Sequence, residues 1–145
     1  MRVRRHTLKV TTGPGIQAHD LTPAIRTVLA ECASWTGFVT VTSRHTTTAI
    51  TVNENEPRLL QDLTRFLERL APAGDPYLHN DVHLRDCPAE EPRNAHSHLL
   101  AILVGSAVVV PIVKGALDLG TWQSVFLVEL DGPRDRTVTV QVIGE

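Results

Sequence analysis

The sequence predicts an α+β fold: one domain, residues 1–145, with a mostly antiparallel sheet or sandwich and about three helices. Three observations point there. Six or seven short segments alternate apolar and polar residues or run apolar throughout, and they cluster toward the C-terminus. Three other segments repeat apolar residues at helical spacing. No internal repeat divides the 145 residues, a length that fits a single core burying roughly 68–70% of the unfolded surface.

In chain order, residues 3–12 alternate weakly through Val3, Leu8 and Val10 and end at Gly13-Pro14-Gly15, a strand followed by a turn. Thr22-Pro23 reads as a cap and first helical residue. Ala24, Ile25, Val28, Leu29 and Cys32 follow at helical spacing, and Gly37 supplies the stop. Residues 38–46 place Val39, Val41, Ser43 and His45 on one face of a strand. Residues 48–54 continue with β-branched side chains, as the second arm of a hairpin or the far half of one bulged strand. Asn55 and Pro57 open a second helix whose stripe of Leu59, Leu60, Leu63, Phe66, Leu67 and Leu70 ends at Pro72. Residues 72–92 are irregular, with four prolines, and a loop this long inside a compact domain is usually functional or disordered.

Asn94 is the expected N-cap of a third helix running to about Val104, with Gly105 just past its end. Residues 106–113 and 122–130 are strands apolar on both faces, hence covered on both sides. Pro111 places the first of them at an edge or a bulge. After the turn Asp131-Gly-Pro-Arg134, strict alternation over residues 137–143 closes the chain. Two doubly apolar strands in so small a domain predict that another subunit buries one face.

Composition narrows the function classes. Net charge is −2, without the basic footprint of a nucleic-acid binder; the cluster Arg2, Arg4, Arg5 reads as a solvated strand. The longest apolar run is broken by Gly105, Ser106 and Pro111, too short for a membrane span. No apolar signal-peptide core follows the N-terminal arginines, so a cytoplasmic protein with free thiols at Cys32 and Cys87 is expected. Neither GxxxxGK[ST], GxGxxG nor GxSxG occurs, which sets aside nucleotide cradles and the α/β-hydrolase elbow.

Seven histidines are more than such a domain needs. His98 lies four residues past the cap beside Ala95, Leu99, Ile102 and Leu103, so it points inward, and the helix N-terminus favours its neutral form. That form suits a metal ligand or a base; the plainer alternative is a core histidine bonded to a carbonyl. His96, two residues away on a helix, points to the other side. His45 ends a strand among hydroxyls, where rigid sites are displayed. Glu54 sits at a strand-to-helix junction as a dipole-favoured carboxylate or a base. In Tyr77-Leu-His-Asn-Asp-Val-His83, the residues His79, Asp81 and His83 have metal-compatible spacing if the segment is extended. Together His45, His79, His98 and Glu54 or Asp81 would suffice for a divalent site of the zinc type. The glycines of residues 114–121 would let backbone approach an anion, with Lys114, Arg134 and Arg136 as phosphate partners or plain surface cations.

HTTTAITVNENEP, YLHND, NAHSHLLAILVGS, VPIVKGALDLGTWQ and LDGPRDR together resemble the YjbQ-like family from about residue 6 onward. The resemblance implies a compact α+β domain on a roughly seven-stranded β-sandwich, assembled as a homotrimer. It marks His45, Glu54, His79, Asn94, His98, the run Gly120-Thr121-Trp122-Gln123, and Arg134. It also implies a secondary thiamine-phosphate synthase activity, joining a pyrimidine diphosphate to a thiazole phosphate with loss of pyrophosphate. The expected function is a small enzyme acting on an anionic or phosphorylated molecule. His45, Glu54, His98 and Gln123 are its catalytic candidates, Asn94, Thr121, Trp122 and Arg134 its substrate contacts. A divalent metal (zinc, magnesium or manganese) would sit on His45, His79 and His98. The rival expectations are a metal-dependent hydrolase and a metal- or ligand-binding module without turnover.

Overall fold

The structure, a computed structural model, describes residues 1–145 and has eight antiparallel strands in two sheets with three helices. The five-stranded sheet runs β1 (Arg2–Thr11), β8 (Asp135–Gly144), β3 (Gly37–Ser43), β5 (Ala107–Val113), β6 (Ala116–Leu117). The three-stranded sheet runs β2 (Gly15–Asp20), β7 (Gln123–Gly132), β4 (Thr48–Glu54). Alternation on β3 and β8 sends Val39, Val41, Val138, Val140 and Val142 into the interface between the sheets, where Ile50, Val125 and Leu127 meet them. The first helix, α1 (Thr22–Ala30), adds Ile25, Val28 and Leu29 to that core.

The two doubly apolar strands differ. β7 is buried on both faces inside one chain: Val125 and Leu127 face the other sheet. Phe126, Val128 and Leu130 pack against Leu67 of α2 (Pro57–Leu70) and Leu100 and Ala101 of α3 (Ala95–Val104). β5 is covered by its own chain on one face only. Val110 and Ile112 are buried, but Val109 is 65% exposed, so its outer face is not covered by the chain itself. Pro111 is tolerated there because only the two-residue β6 lies beyond β5.

Several local expectations need correction. Residues 38–46 and 48–54 are neither a hairpin nor one strand: β3 and β4 belong to different sheets, and residues 44–47 form the corner between them. β2 and β6 escaped the pattern reading because each is too short to show a period. The α1 cap position is Leu21, where Asp20 Oδ1 accepts from the Thr22 N–H at 2.8 Å. The Thr22 hydroxyl instead accepts from the Val125 N–H, tying α1 to β7. α1 ends at Ala30, well before Gly37. Glu56, not Asn55, caps α2, its carboxylate accepting from the N–H groups of Arg58 and Leu59 at 3.0 and 2.8 Å. Only Leu67 of the α2 stripe is fully buried, while Leu59, Phe66 and Leu70 are partly exposed.

At Gly115 the glycine loop is shaped by turn geometry and packing. Lys114 and Gly115 take positive φ (49° and 77°) to turn β5 into β6. A Cβ on Gly115 would lie 2.6 Å from the Ala33 backbone, so the glycine is required by packing against the end of α1.

Candidate functional site

One end of the sandwich is closed by a buried ion pair. Glu129 on β7 and Arg136 on β8 both point between the sheets, 0% and 4% exposed. Arg136 donates from Nε and from its second guanidinium nitrogen to the two carboxylate oxygens, at 2.7 and 2.5 Å. The Thr12 hydroxyl and the N–H groups of Leu130 and Asp131 also donate to Glu129, and Arg136 reaches Thr47 at 3.0 Å. Burial alone would raise the Glu129 carboxyl, but the hydrogen bonds from Arg136, Asp131 and Thr12 bring it below its ordinary value. With the two charges paired and five hydrogen bonds converging on the Glu129 carboxylate, this plug is a rigid floor.

The β3–β4 corner lies on that floor. The Thr137 N–H donates to His45 Nε2 at 2.8 Å, and the Arg44 N–H donates to the Thr137 carbonyl at 3.3 Å. Since Nε2 accepts, the His45 proton resides on Nδ1, and the ring presents a donor to the groove. Partial burial, reinforced by Arg136 and Arg44 and opposed by Glu129, lowers the His45 pKa. Its neutral form therefore prevails at pH 7.

α3 supplies the opposite wall. Asn94 occupies the cap position but does not cap; its amide donates to Asp131 at 2.7 Å. Asn80 Oδ1 accepts from the Ala95 N–H instead. The short turn that carries Asn80 thus docks on the helix start and brings the His79 ring against His98, edge to face with centroids 4.8 Å apart. Arg85 holds the same turn through the His79 carbonyl at 2.9 Å. The His98 ring makes no hydrogen bond within the chain, while its N–H donates to the Asn94 carbonyl, and its pKa is lowered by burial first and then by His79 and Arg85, against Asp131 and Glu91. His98 is a neutral imidazole with nitrogens free for a ligand.

His45 and His98 line one groove with two compartments, of about 610 and 750 Å³, which share Arg44, His45, Thr46 and His98. One compartment runs toward α3 along Ala101, Ile102, Gly105 and Ser106. The other runs over Asn94, Asp131, Arg134 and Arg136. Arg134 is engaged by Asp131 at 2.7 Å.

The expected site residues therefore divide into two groups. His45, His79, His98, Asn94 and Arg134 assemble at this end. Glu54, Thr121, Trp122 and Gln123 do not: Glu54 pairs with Gln123 at the far end of β4. Six strand residues at about 3.3 Å each put that end roughly 20 Å from Thr48 and the histidine corner. There Gln123 accepts from the Gly120 N–H at 2.8 Å, and Trp122 is 73% exposed. The three-histidine ligand set also fails to form in one chain, because His45 Nε2 is committed to Thr137 and no three His, Cys, Asp or Glu side chains converge. Asp81 occupies the cap position of a short turn and His83 is exposed, so H-x-D-x-H is not an extended ligand strand. His96 points away from His98; its Nε2 meets Ser97 and its Nδ1 is buried without a partner. Sequence reasoning missed Arg44 and the Glu129–Arg136 plug. The signal for the plug was present, since Glu129 is a lone acid at an inward position of a buried strand.

Fold and groove together define an antiparallel β-sandwich flanked by helices, with an imidazole- and arginine-lined site at one end. Comparison with known proteins fits this description. The model of the UPF0047, YjbQ-like proteins matches residues 6–145, and the chain belongs to that family. A UPF0047 protein of Methanothermobacter thermautotrophicus is 41% identical over all of this chain and 95% of its own length. YugU of Bacillus subtilis is 31% identical over 95% of this chain and 98% of its own. Among solved structures, the hypothetical protein APE1520 of Aeropyrum pernix aligns with a TM-score of 0.88 and 38% identity, covering 98% and 99% of the two chains. A protein of unknown function from Sulfolobus solfataricus, SSO2532, aligns at 0.89 with 32% identity over 99% of each.

Proposed function

We propose that this protein is an enzyme acting on a small phosphorylated molecule in the His45–His98 groove. The observation that carries the reading is the complementary state of the two imidazoles. His45, fixed by Thr137 as an Nδ1–H donor, can stabilise negative charge on a ligand oxygen. His98, neutral and free, can accept a proton across the same groove. Arg44 lines both compartments beside them without a carboxylate partner and supplies the charge for an anion.

Two reaction classes suit this pair. One is hydrolysis, with His98 activating water. The other is the thiamine-phosphate synthase reaction expected from the resemblance, with pyrophosphate leaving toward Arg44 and His45. A module that binds without turnover would use the same contacts; the unengaged His98 ring favours chemistry over simple binding. We also propose that the protein works as a cytoplasmic homotrimer. Glu54, Thr121, Trp122 and Gln123 could then reach a histidine groove only as residues of a neighbouring copy. The open outer face of β5 supports association.

A second reading retains a divalent metal. The adjoining rings of His79 and His98 supply two imidazole donors, so a metal would sit on those two with further donors from solvent or ligand rather than on three histidines. Such an ion would polarise a phosphoryl oxygen. Calorimetric titration with inorganic phosphate, on wild type and on Arg44→Ala, tests the main reading. Saturable binding that weakens at least tenfold in Arg44→Ala supports it. Phosphate that binds both equally sits elsewhere and refutes it. Elemental analysis of wild type against His79→Ala decides the metal.

A further inference from the structure

We propose that the groove's ligand is amphipathic: a phosphate monoester of an alkyl or aryl group, whose head sits at Arg44, His45 and His98 and whose apolar part lies over Ala101 and Ile102. This rests on the anion reading above and adds the other half of the molecule. The two compartments differ in charge. The one over Asn94 carries Glu91, Asp131 and Asp135, and its Arg134 and Arg136 are held by Asp131 and Glu129. An anion there meets carboxylates and arginines already neutralised. The compartment along α3 has Arg44 as its one charged residue and no carboxylate in its wall.

Beyond Arg44, Ala101 and Ile102 form one side of that compartment and Gly105 and Ser106 its end, while the Ser43 and Thr48 hydroxyls at its base are buried and hydrogen-bonded to each other. Ile102 is 79% exposed, although α3 carries most of its apolar packing through Leu100 and Ala101. At about 610 Å³ the space is far larger than a phosphate and of the size that takes an organic group. An apolar substituent would cover the Ala101–Ile102 side, where a sugar's hydroxyls would find no side-chain partner.

The test is a calorimetric series of inorganic, methyl, ethyl, propyl and butyl phosphate and glycerol phosphate, on wild type and on Ile102→Ser. Because Ile102 is exposed, the variant keeps the fold. Each methylene buried should tighten binding about two- to fourfold in wild type. In Ile102→Ser the gain should flatten while inorganic phosphate binds as before. Glycerol phosphate should bind no better than methyl phosphate. If all esters bind like inorganic phosphate, the amphipathic assignment is overturned and the anion site stands. If glycerol phosphate is the tightest, the polar compartment holds the organic group and the assignment is again overturned. If inorganic phosphate itself fails to bind, the anion reading falls first.

Discussion

Replacing Glu129 by glutamine removes one charge from the plug while preserving its shape, and it should be among the most damaging single substitutions in the chain. Arg136 is 4% exposed and gives two hydrogen bonds to the carboxylate, so the neutral amide leaves a guanidinium charge buried. It also places an NH₂ where donors from Arg136, Thr12 or the Leu130 and Asp131 backbone now point. Breaking a buried pair from one side costs about 3–5 kcal/mol. For a domain near 150 residues that is a fall in Tm of roughly 10–20 °C, at about 3–4 °C per kcal/mol. Urea unfolding followed by circular dichroism measures it. The double variant Glu129→Met, Arg136→Met, which removes both charges, should recover part of the loss, because Thr12 and the Leu130 and Asp131 N–H groups still lose their acceptor. A Glu129→Gln protein within about 1 kcal/mol of wild type would show that the pair is not a sealed floor, and the rigidity assigned to His45 above it would lose its basis.

Four further outcomes follow from the same geometry. His98→Gln should leave stability within about 1 kcal/mol, since the ring makes no hydrogen bond in the chain, while turnover of any phosphate ester the wild type processes falls by about 10²–10⁴; a released-phosphate assay reads it. Stability should decline as pH falls below 6.5: both His45 and His98 have pKa values lowered from 6.5 in the fold, so the unfolded chain binds more protons there. Thermal melts from pH 8 to 5 would show this, and a flat profile through that window would contradict the lowered values. Asn80→Ala should cost about 0.5–2 kcal/mol by uncapping α3, and should loosen the His79–His98 contact, visible as altered histidine resonances. Gly115→Ala should cost more than about 1 kcal/mol, because φ is 77° and its Cβ would strike the Ala33 backbone; chemical denaturation measures it.

What the sequence made legible follows from how each feature is encoded. Periodicity is local, so α2, α3, β7 and β8 were readable within a few residues, as was the position of Asn94 at a helix start. Sheet membership is not local. The apolar run of residues 48–54 reads the same whether it pairs with β3 or crosses to the other sheet beside β7, and only the second places residues 44–47 at a corner. The same limit governed the site. His45, His79, His98, Asn94 and Arg134 share one end because several connections of the sandwich meet there. Glu54 and Gln123 sit where β4 ends and β7 begins, and an antiparallel register puts both at the opposite end. Nor does a histidine's residue type reveal that a backbone N–H ninety-two positions away will occupy its Nε2, as Thr137 does for His45. Glu129 was readable in principle, since an acid between Val128 and Leu130 demands a partner, but Arg136 as that partner required the turn back into β8.

The central claim is that His45 and His98 are a neutral pair poised on either side of a phosphate site. Histidine ring resonances, assigned with His45→Gln and His98→Gln and titrated by NMR with and without inorganic phosphate, test it directly. The account predicts midpoints below 6.5 for both rings in the free protein, each moving upward when phosphate binds, because an adjacent anion favours the imidazolium. Midpoints at or above 6.5 that phosphate leaves unmoved would contradict it.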